Sequence, residues 1–584
     1  MKLFKTKLKL IIGLMLVLGS LFTSCNPDDS DNGLSDSNTN PESQIDLGTS
    51  IQRDFMGRIV DQSNLPVDNA VVTIGSQIVT TDTNGIFIVN SANVKERQAF
   101  IVVEKTGYFK GMRSVVPTEG TNNIKITLIT QNLVSTITSG SSNDVTLPNG
   151  TKVTFDGNFK DDNGNAYSGN VDVYLYHLET SNPDINTTMP GSLQAVNETG
   201  NERVLESYGM LNVELRGAAG QELNIADGSV AKIELPVDLA QMSIAPTTIP
   251  LWHFDEVNGY WVEEGQATLV GNKYIGEVSH FSWWNCDAPF PTVDLCLNVV
   301  DASSNPVSNA LVELWRSGAT YPNIGISNGN GEICGLIPAN ETLTLKAFDQ
   351  CGVEVFSTTI GPFSTDTNLG NVVMPAVTAT IITGNLIDCS NTNIVNGYVA
   401  INYGNDYSTV DVVNGSFSLS VIQCASLPTF TLEGLDFDTF QSTTVLPFNF
   451  SNANVGNIIA CSTVTEFVSI QIDNDPVDYF LTNFNAGSNG STTSFGISTQ
   501  TTTASLIILG GSTTPGTYMS TGVSNFLFEF GIDQDFNVPD TLQYTLNNFG
   551  VIGGYIDMNI AGDYTDNSGV VRTLSASVHV IRDH

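Results

Sequence analysis

Three stretches of the chain repeat one set of offsets. Asp61 is followed five residues on by Pro66, then by Ala70, Val72 and Ile74, then by Thr81-Asp82-Thr83-Asn84-Gly85-Ile86-Phe87. Asp301 is followed at the same spacing by Pro306, by Ala310, Val312 and Leu314, and by Ser327-Asn328-Gly329-Asn330-Gly331. Asp388 leads in turn to Asn393, to Gly397, Val399 and Ile401, and to Gly415-Ser416-Phe417. Matching offsets mean that one supersecondary unit recurs. Each copy reads as a strand ending at the Asp, a loop, a strand of alternating apolar residues, and a hairpin turn whose Gly allows positive φ.

A chain of 584 residues is too long for one core. Its hydrophobic content of 41% suffices for several, and no long stretch carries the apolar spacing of an amphipathic helix. The expected class is all-β, a series of tandem β-sandwich modules. The expected divisions are a signal peptide over 1–24, a disordered acidic tether over 25–52, repeats over 53–131, 288–375 and 376–461, a central sandwich over 132–287, and a C-terminal β-module over 462–584. Ser181–Glu202 reads as a long loop. The first two repeats resemble carboxypeptidase-regulatory-like domains, small transthyretin-like sandwiches, and the third, without the proline, is a divergent copy. That resemblance implies non-catalytic spacers or binding units. The tail Gly553–Arg582 alternates well and resembles the final β-module of surface lipoproteins.

The stretch Leu251–Asp287 holds four of the five tryptophans, Trp252, Trp261, Trp283 and Trp284. Its first half reads as a hairpin turning at Asn258-Gly259, and two more short strands flank Gly271-Asn272. The hairpin and the ending His280-Phe281-Ser282-Trp283-Trp284 resemble cartilage intermediate layer proteins. The same ending resembles the last strand of the sandwich domain shared by netrin receptors, ankyrins and zonula occludens proteins. This second resemblance implies a self-cleaving chemistry. Ser282 Oγ would attack the Phe281 carbonyl in a strained hairpin bond, with His280 assisting proton transfer and water opening the ester. The plainer reading is a buried strand with a hydrogen-bonded His and Ser. The tryptophans would serve as core residues or, less commonly, as an aromatic platform for sugars.

Four lysines precede the apolar run Leu10–Phe22, which is too short for a bilayer-spanning helix and reads as an export signal. Leu21-Phe22-Thr23-Ser24-Cys25 resembles a bacterial lipoprotein box, which implies lipidation of Cys25 and an outer-membrane anchor. Asn26–Gln52 lacks Lys and Arg and reads as a disordered tether. The acids directly after Cys25 resemble the surface-export signal of Bacteroidota lipoproteins, which implies display on the cell exterior. Net charge is −38, and after Lys346 the basic residues are Arg572 and Arg582 alone. No basic stripe is available for phosphates, so nucleic acid is excluded as a partner.

Seven cysteines remain beside Cys25, so at least one is left out of intramolecular pairs. Cys389 and Cys461 fall at the same end of the third sandwich and form the favoured pair, and Cys296, Cys334 and Cys351 are the candidates for another bond within the second repeat. No C-x-x-C occurs, which argues against zinc or redox use. Gly325-Ile326-Ser327-Asn328-Gly329 matches G-x-S-x-G, but Ser327 occupies the repeat position of Thr81 inside a hairpin, not a nucleophile elbow. His253 and Glu256 match H-x-x-E, but residues three apart on a strand face opposite sides. The same rule separates the adjacent acids Glu263 and Glu264. Asp161, Asn163, Asn165 and Asp172 faintly resemble a calcium loop but lack its glycine. The expected function is therefore a non-enzymatic surface lipoprotein that binds a glycan or protein ligand without a cofactor or metal. The alternatives are a surface hydrolase acting on carbohydrate or peptide, and a self-cleaving surface module.

Overall fold

The computed structural model describes residues 45–584 except 350, 375–378, 404–405, 425–426, 440, 462, 465, 474–477, 481–483, 489–493, 501–504, 520–525, 530–534 and 536–537. The expected signal peptide, Cys25 and the expected tether up to residue 44 lie outside the described residues. No described helix is long and apolar enough to cross a membrane. The all-β expectation of tandem sandwich modules holds, and each repeat contains the same three-stranded sheet, faced by four strands in the first two copies and by six in the third.

In the first repeat the strands are β1 (Ser50–Asp61), β2 (Val71–Ile74), β3 (Gln77–Thr80), β4 (Ile86–Lys95), β5 (Ala99–Glu104), β6 (Gly111–Val115) and β7 (Thr121–Leu128). They form a three-stranded sheet in the order β4-β1-β7 and a four-stranded sheet in the order β3-β2-β5-β6. β1 runs antiparallel to β4 and parallel to β7. Because side chains alternate across a strand, one apolar row from each sheet meets in the core, which contains Phe55, Ile59, Val72, Ile74, Phe87, Ile101 and Val103. The second repeat starts with Thr292–Asp301 and closes with Thr367–Met374, again in parallel. The third starts with Ala379–Ile387 and closes with Asn454–Ile459 in the same manner.

The shared offsets have a direct physical cause. Asp61 Oδ1 accepts the backbone N–H of Ser63 at 2.8 Å and of Leu65 at 2.9 Å. Asp301 does the same for Ser303 and Asn305, and Asp388 for Ser390 and Thr392. The carboxylate replaces backbone partners that a sharp loop cannot supply. The loop then bridges back at Val60–Pro66, Val300–Pro306 and Ile387–Asn393. Gly85 and Gly331 have φ of 74° and 76°, and a Cβ there would lie 2.3 Å from Ile59 O and 2.4 Å from Val299 O.

The first strand begins at Ser50, paired with Lys95, so residues 50–52 belong to a strand and not to a tether. Their backbone groups are satisfied by β4, which a polar composition alone does not reveal. Ser181–Glu202 is not simply a loop either, since it includes the helical turn Ile185–Thr188 and the strand Gln194–Val196.

The central sheet has 14 strands and serves two cores. One core contains Phe155, Tyr274, Phe281, Trp284 and Cys286. The other contains Trp252, Phe254, Trp261 and Trp283 together with Phe109 and Met112 of the first repeat. The first repeat and the central sandwich therefore share one apolar core across the chain region near 131. In the C-terminal module, strands Tyr555–Thr565 and Val571–Ile581 pair as a long hairpin.

Further contacts join repeats distant in sequence. Arg97 of the first repeat is 2.9 Å from Glu202 of the central sandwich and 2.8 Å from Asp294 of the second repeat. Arg316 of the second repeat pairs with Glu206 of the central sandwich. Between the first and third repeats, Met56 and Ile86 pack with Tyr398, Ala400 and Leu435. In that contact Tyr398 donates its hydroxyl to Asp82 Oδ2 at 2.8 Å and accepts from Asn84 Nδ2 at 2.8 Å.

Burial pushes the Asp82 carboxyl up from 3.8 to about 6, against hydrogen bonds from Ile86, Tyr398 and Asn84, and with Glu433 adding to the rise. Arg58 stacks 4.1 Å over the ring of Tyr407. The folded chain holds the Asp82 proton more tightly than the unfolded chain does. Its contribution is therefore greatest below about pH 3.8 and is lost as pH rises through about 6. The expected loss is on the order of 3 kcal/mol. The difference in unfolding free energy between wild type and Asp82→Asn, followed from pH 3 to 8, should show this slope, and a flat difference would count against it.

Candidate functional site

Polar chemistry converges where the hairpin Thr248–Asp255/Tyr260–Val270 meets the turn before Trp283–Phe290. Strand pairing sets His253 opposite Val262 on one side and Trp284 on the other. Glu264 is two residues beyond Val262 and shares its face, while Glu263 lies opposite Trp252 on the other face. The turn then brings in His280. Glu264 Oε2 lies 3.2 Å from His253 Nδ1 and 3.3 Å from His280 Nε2. The Nδ1 contact is within ion-pair range but off the direction of a hydrogen bond, which leaves this buried nitrogen without a hydrogen-bond partner. Ser279 Oγ donates to Glu264 Oε1 at 2.7 Å.

Trp284 forms the floor. Its ring centroid is 5.7 Å from that of His253 and 5.1 Å from that of His280, and its indole N–H donates to His280 O at 2.9 Å. The two imidazoles stand 4.8 Å apart and nearly perpendicular. The imidazoles of His253 and His280, with help from Ser279, hold the Glu264 carboxyl well below the usual range despite partial burial. Side-chain exposures of 21% for His253, 40% for Glu264 and 34% for His280 keep the group open to solvent on one side.

The Phe281-Ser282 bond lies next to this group. Phe281 is buried, and its ring packs 5.6 Å from Phe155. Asn224 clamps the backbone on both sides, with Oδ1 accepting from Phe281 N at 2.8 Å and Nδ2 donating to Phe281 O at 3.1 Å. Ser282 Oγ donates to Trp283 O at 3.1 Å, while His280 Nε2 is directed to Glu264. Neither Phe281 nor Ser282 has a left-handed φ. The serine is thus hydrogen-bonded away from the role that self-cleavage requires, and the histidine is engaged elsewhere. The expected result on denaturing electrophoresis is one full-length band from freshly folded protein. Two fragments meeting at Ser282, lost in Ser282→Ala, would overturn it.

The other sequence motifs resolve into local structure. Ser327 Oγ donates to Val307 O at 2.6 Å and accepts from Ala310 N at 2.8 Å. Thr81 makes the equivalent bonds to Val67 and Ala70. Ser327 is fully buried and closes a repeat loop. His253 turns toward Glu264 and not toward Glu256, which pairs with Lys110. Asp161 accepts from Asn163 N and Asn165 N, and Asp172 bonds Thr136 on the neighbouring strand. Asp161 is thereby committed to its own hairpin turn. The sugar-platform reading of Trp252, Trp261, Trp283 and Trp284 is corrected, since all four are buried at 2% exposure or less.

Disulfides join Cys389 to Cys461, Cys296 to Cys334, and Cys351 to Cys424. Cys351 belongs by sequence to the second repeat, yet its partner Cys424 lies in the third. Cys286 is buried and free. The His253–Glu264–His280 group was missed by sequence reading because the motif H-x-x-E drew attention to the wrong acid. The signal was the turn at Asn258-Gly259, whose register sets His253 opposite Val262, one same-face step from Glu264.

No family model matches the chain. Cartilage intermediate layer protein 1 of Sus scrofa is 30% identical over 145 residues, covering 22% of this chain and 23% of that protein. The Homo sapiens protein is 27% identical over 143 residues, covering 22% of this chain and 12% of its own length. The chain thus matches less than a quarter of the length of these relatives. Among solved structures, a shaft pilin of Lactobacillus rhamnosus GG aligns with TM-score 0.16 and 11% identity over 30% of this chain and 98% of that one. The major pilin subunit of Bacillus cereus aligns with TM-score 0.12 and 11% identity over 71% of this chain and 100% of that one. At these TM-scores the pilin likeness carries no argument about function. The chain is a modular β-sandwich protein with a stretch similar to cartilage intermediate layer proteins.

Proposed function

We propose that this protein is a non-catalytic lipoprotein, anchored through Cys25 in the outer membrane and facing the cell exterior, that presents a binding or adhesion surface. The observation that carries the reading is the repeated sandwich itself. Three copies keep the same loops, and the serine that mimics a hydrolase nucleophile is one of the residues that close those loops. The export signal, the lipoprotein box and the acidic segment after Cys25 support the anchor and its direction. A glycan ligand would have to be held outside the four buried tryptophans, and a protein ligand is equally compatible with the repeats.

Protease shaving of intact cells tests the location. Degradation without breaking the outer membrane is expected, together with loss of membrane association in Cys25→Ala. Protection until the membrane is broken would sink surface display. A glycan array probed with the extracted protein tests the ligand class.

A further inference from the structure

We propose that His253, Glu264 and His280 form a binding site for one divalent transition-metal ion of the zinc class. The inference is independent of the surface reading, because it rests on three side chains of the central sandwich.

The ligand atoms of the three residues all lie within 4.8 Å of one another. In a tetrahedral zinc site with bonds of about 2.0–2.1 Å, neighbouring ligand atoms are about 3.3–3.4 Å apart. Glu264 Oε2 is already 3.2 Å from His253 Nδ1 and 3.3 Å from His280 Nε2. Two edges of the coordination tetrahedron therefore already have the required length, and the third, between the two imidazole nitrogens, spans no more than 4.8 Å. The buried His253 Nδ1 meets Glu264 Oε2 at 3.2 Å without an aligned hydrogen bond, and a metal between the two atoms would bind both.

The supporting groups fit the same use. Ser279 Oγ fixes the second carboxylate oxygen, Oε1, and leaves Oε2 for the ion. Trp284 backs both imidazoles and ties down the His280 carbonyl. His253 and Glu264 stand on paired strands, so the site rests on rigid elements, and the partial exposure of all three leaves a fourth position for water or an outside ligand. Two imidazoles and one carboxylate suit zinc, cobalt, nickel or copper, whereas calcium and magnesium prefer oxygen ligands alone. Such an ion would pin the turn carrying His280 onto the hairpin and take up the nitrogen nearest Glu264.

Few other imidazoles compete. The chain has five histidines, of which His177 is buried against Asn149 and Thr151 and His579 is paired with Asp557. The test is titration of the full chain, extracted in detergent and stripped with a chelator, with cobalt(II) and zinc(II). One equivalent is expected to bind at micromolar ion or below, with visible cobalt bands of a tetrahedral nitrogen–oxygen site that zinc abolishes. Glu264→Gln, which keeps the side-chain shape, and His253→Gln and His280→Gln should each weaken binding at least tenfold. Zinc should raise the melting temperature of wild type but not of Glu264→Gln, with circular dichroism confirming that each variant is folded. Absence of a one-equivalent site in wild type would overturn the proposal. So would folded Glu264→Gln and His253→Gln variants that bind as tightly as wild type, since the ion would then sit elsewhere.

Discussion

Serine replacement of Cys351 and Cys424 should make the third repeat the first part of the molecule to melt. The bond spans 73 residues and joins a loop of the second repeat to the buried Cys424 in the core of the third. A cross-link of this span removes loop-closure entropy from the unfolded chain worth about 4 kcal/mol. Cys389–Cys461 spans 72 residues, so its loss should be comparable, at about 4 kcal/mol. The two bonds act differently on the folded side. Cys389–Cys461 links the ends of the first and last strands of one sandwich, while Cys351–Cys424 also tethers neighbouring repeats. Calorimetry of the double-serine variants should therefore split a low-temperature transition from the rest of the trace. Proteolysis should begin near the junction of the second and third repeats only in Cys351→Ser/Cys424→Ser. An unchanged trace after both replacements would mean that packing alone sets the stability of this repeat.

Trp261→Ala should cost about 3–5 kcal/mol, in the range of large aromatic truncations in cores. Trp261 is completely buried, its ring lies 5.2 Å from that of Phe254, and its indole N–H donates to Ser192 O at 2.8 Å. Truncation leaves a cavity and a carbonyl without its donor. The cavity opens in the core that also holds Phe109 and Met112 of the first repeat. Hydrogen exchange should therefore quicken in β6 (Gly111–Val115) as well as in the central hairpin. Trp315→Ala is the control. Trp315 is half-buried on the second repeat, with its indole on Glu313 and Lys346 over its ring, and its loss should cost about 1 kcal/mol or less. Slower or unchanged exchange in β6 would show that the two modules do not share their stability through this core.

The parts legible in the sequence are those whose causes act over a few residues. The Asp that accepts two nearby backbone N–H groups, the Gly at positive φ and the alternating strand that follows are local devices, so their offsets recur wherever the repeat does. Ser327 could be assigned to a loop and not to catalysis because Thr81 stands at the same offset in another copy. The burial of tryptophans on alternating strands follows from the same periodicity. Other features depend on how sheets and modules dock, and no short-range pattern specifies that. Asp82 meets Tyr398 across more than three hundred residues, Cys351 finds Cys424 in the next repeat, and the first repeat completes the tryptophan core of the central sandwich. The His253–Glu264–His280 group stands between these cases. Its hairpin register is local, but the arrival of His280 depends on the strand Trp283–Phe290 inserting between Glu202–Gly217 and Thr248–Asp255. That insertion is a long-range pairing driven by burial of Trp283 and Trp284 on opposite faces, so tertiary structure alone decides which carboxylate the two histidines share.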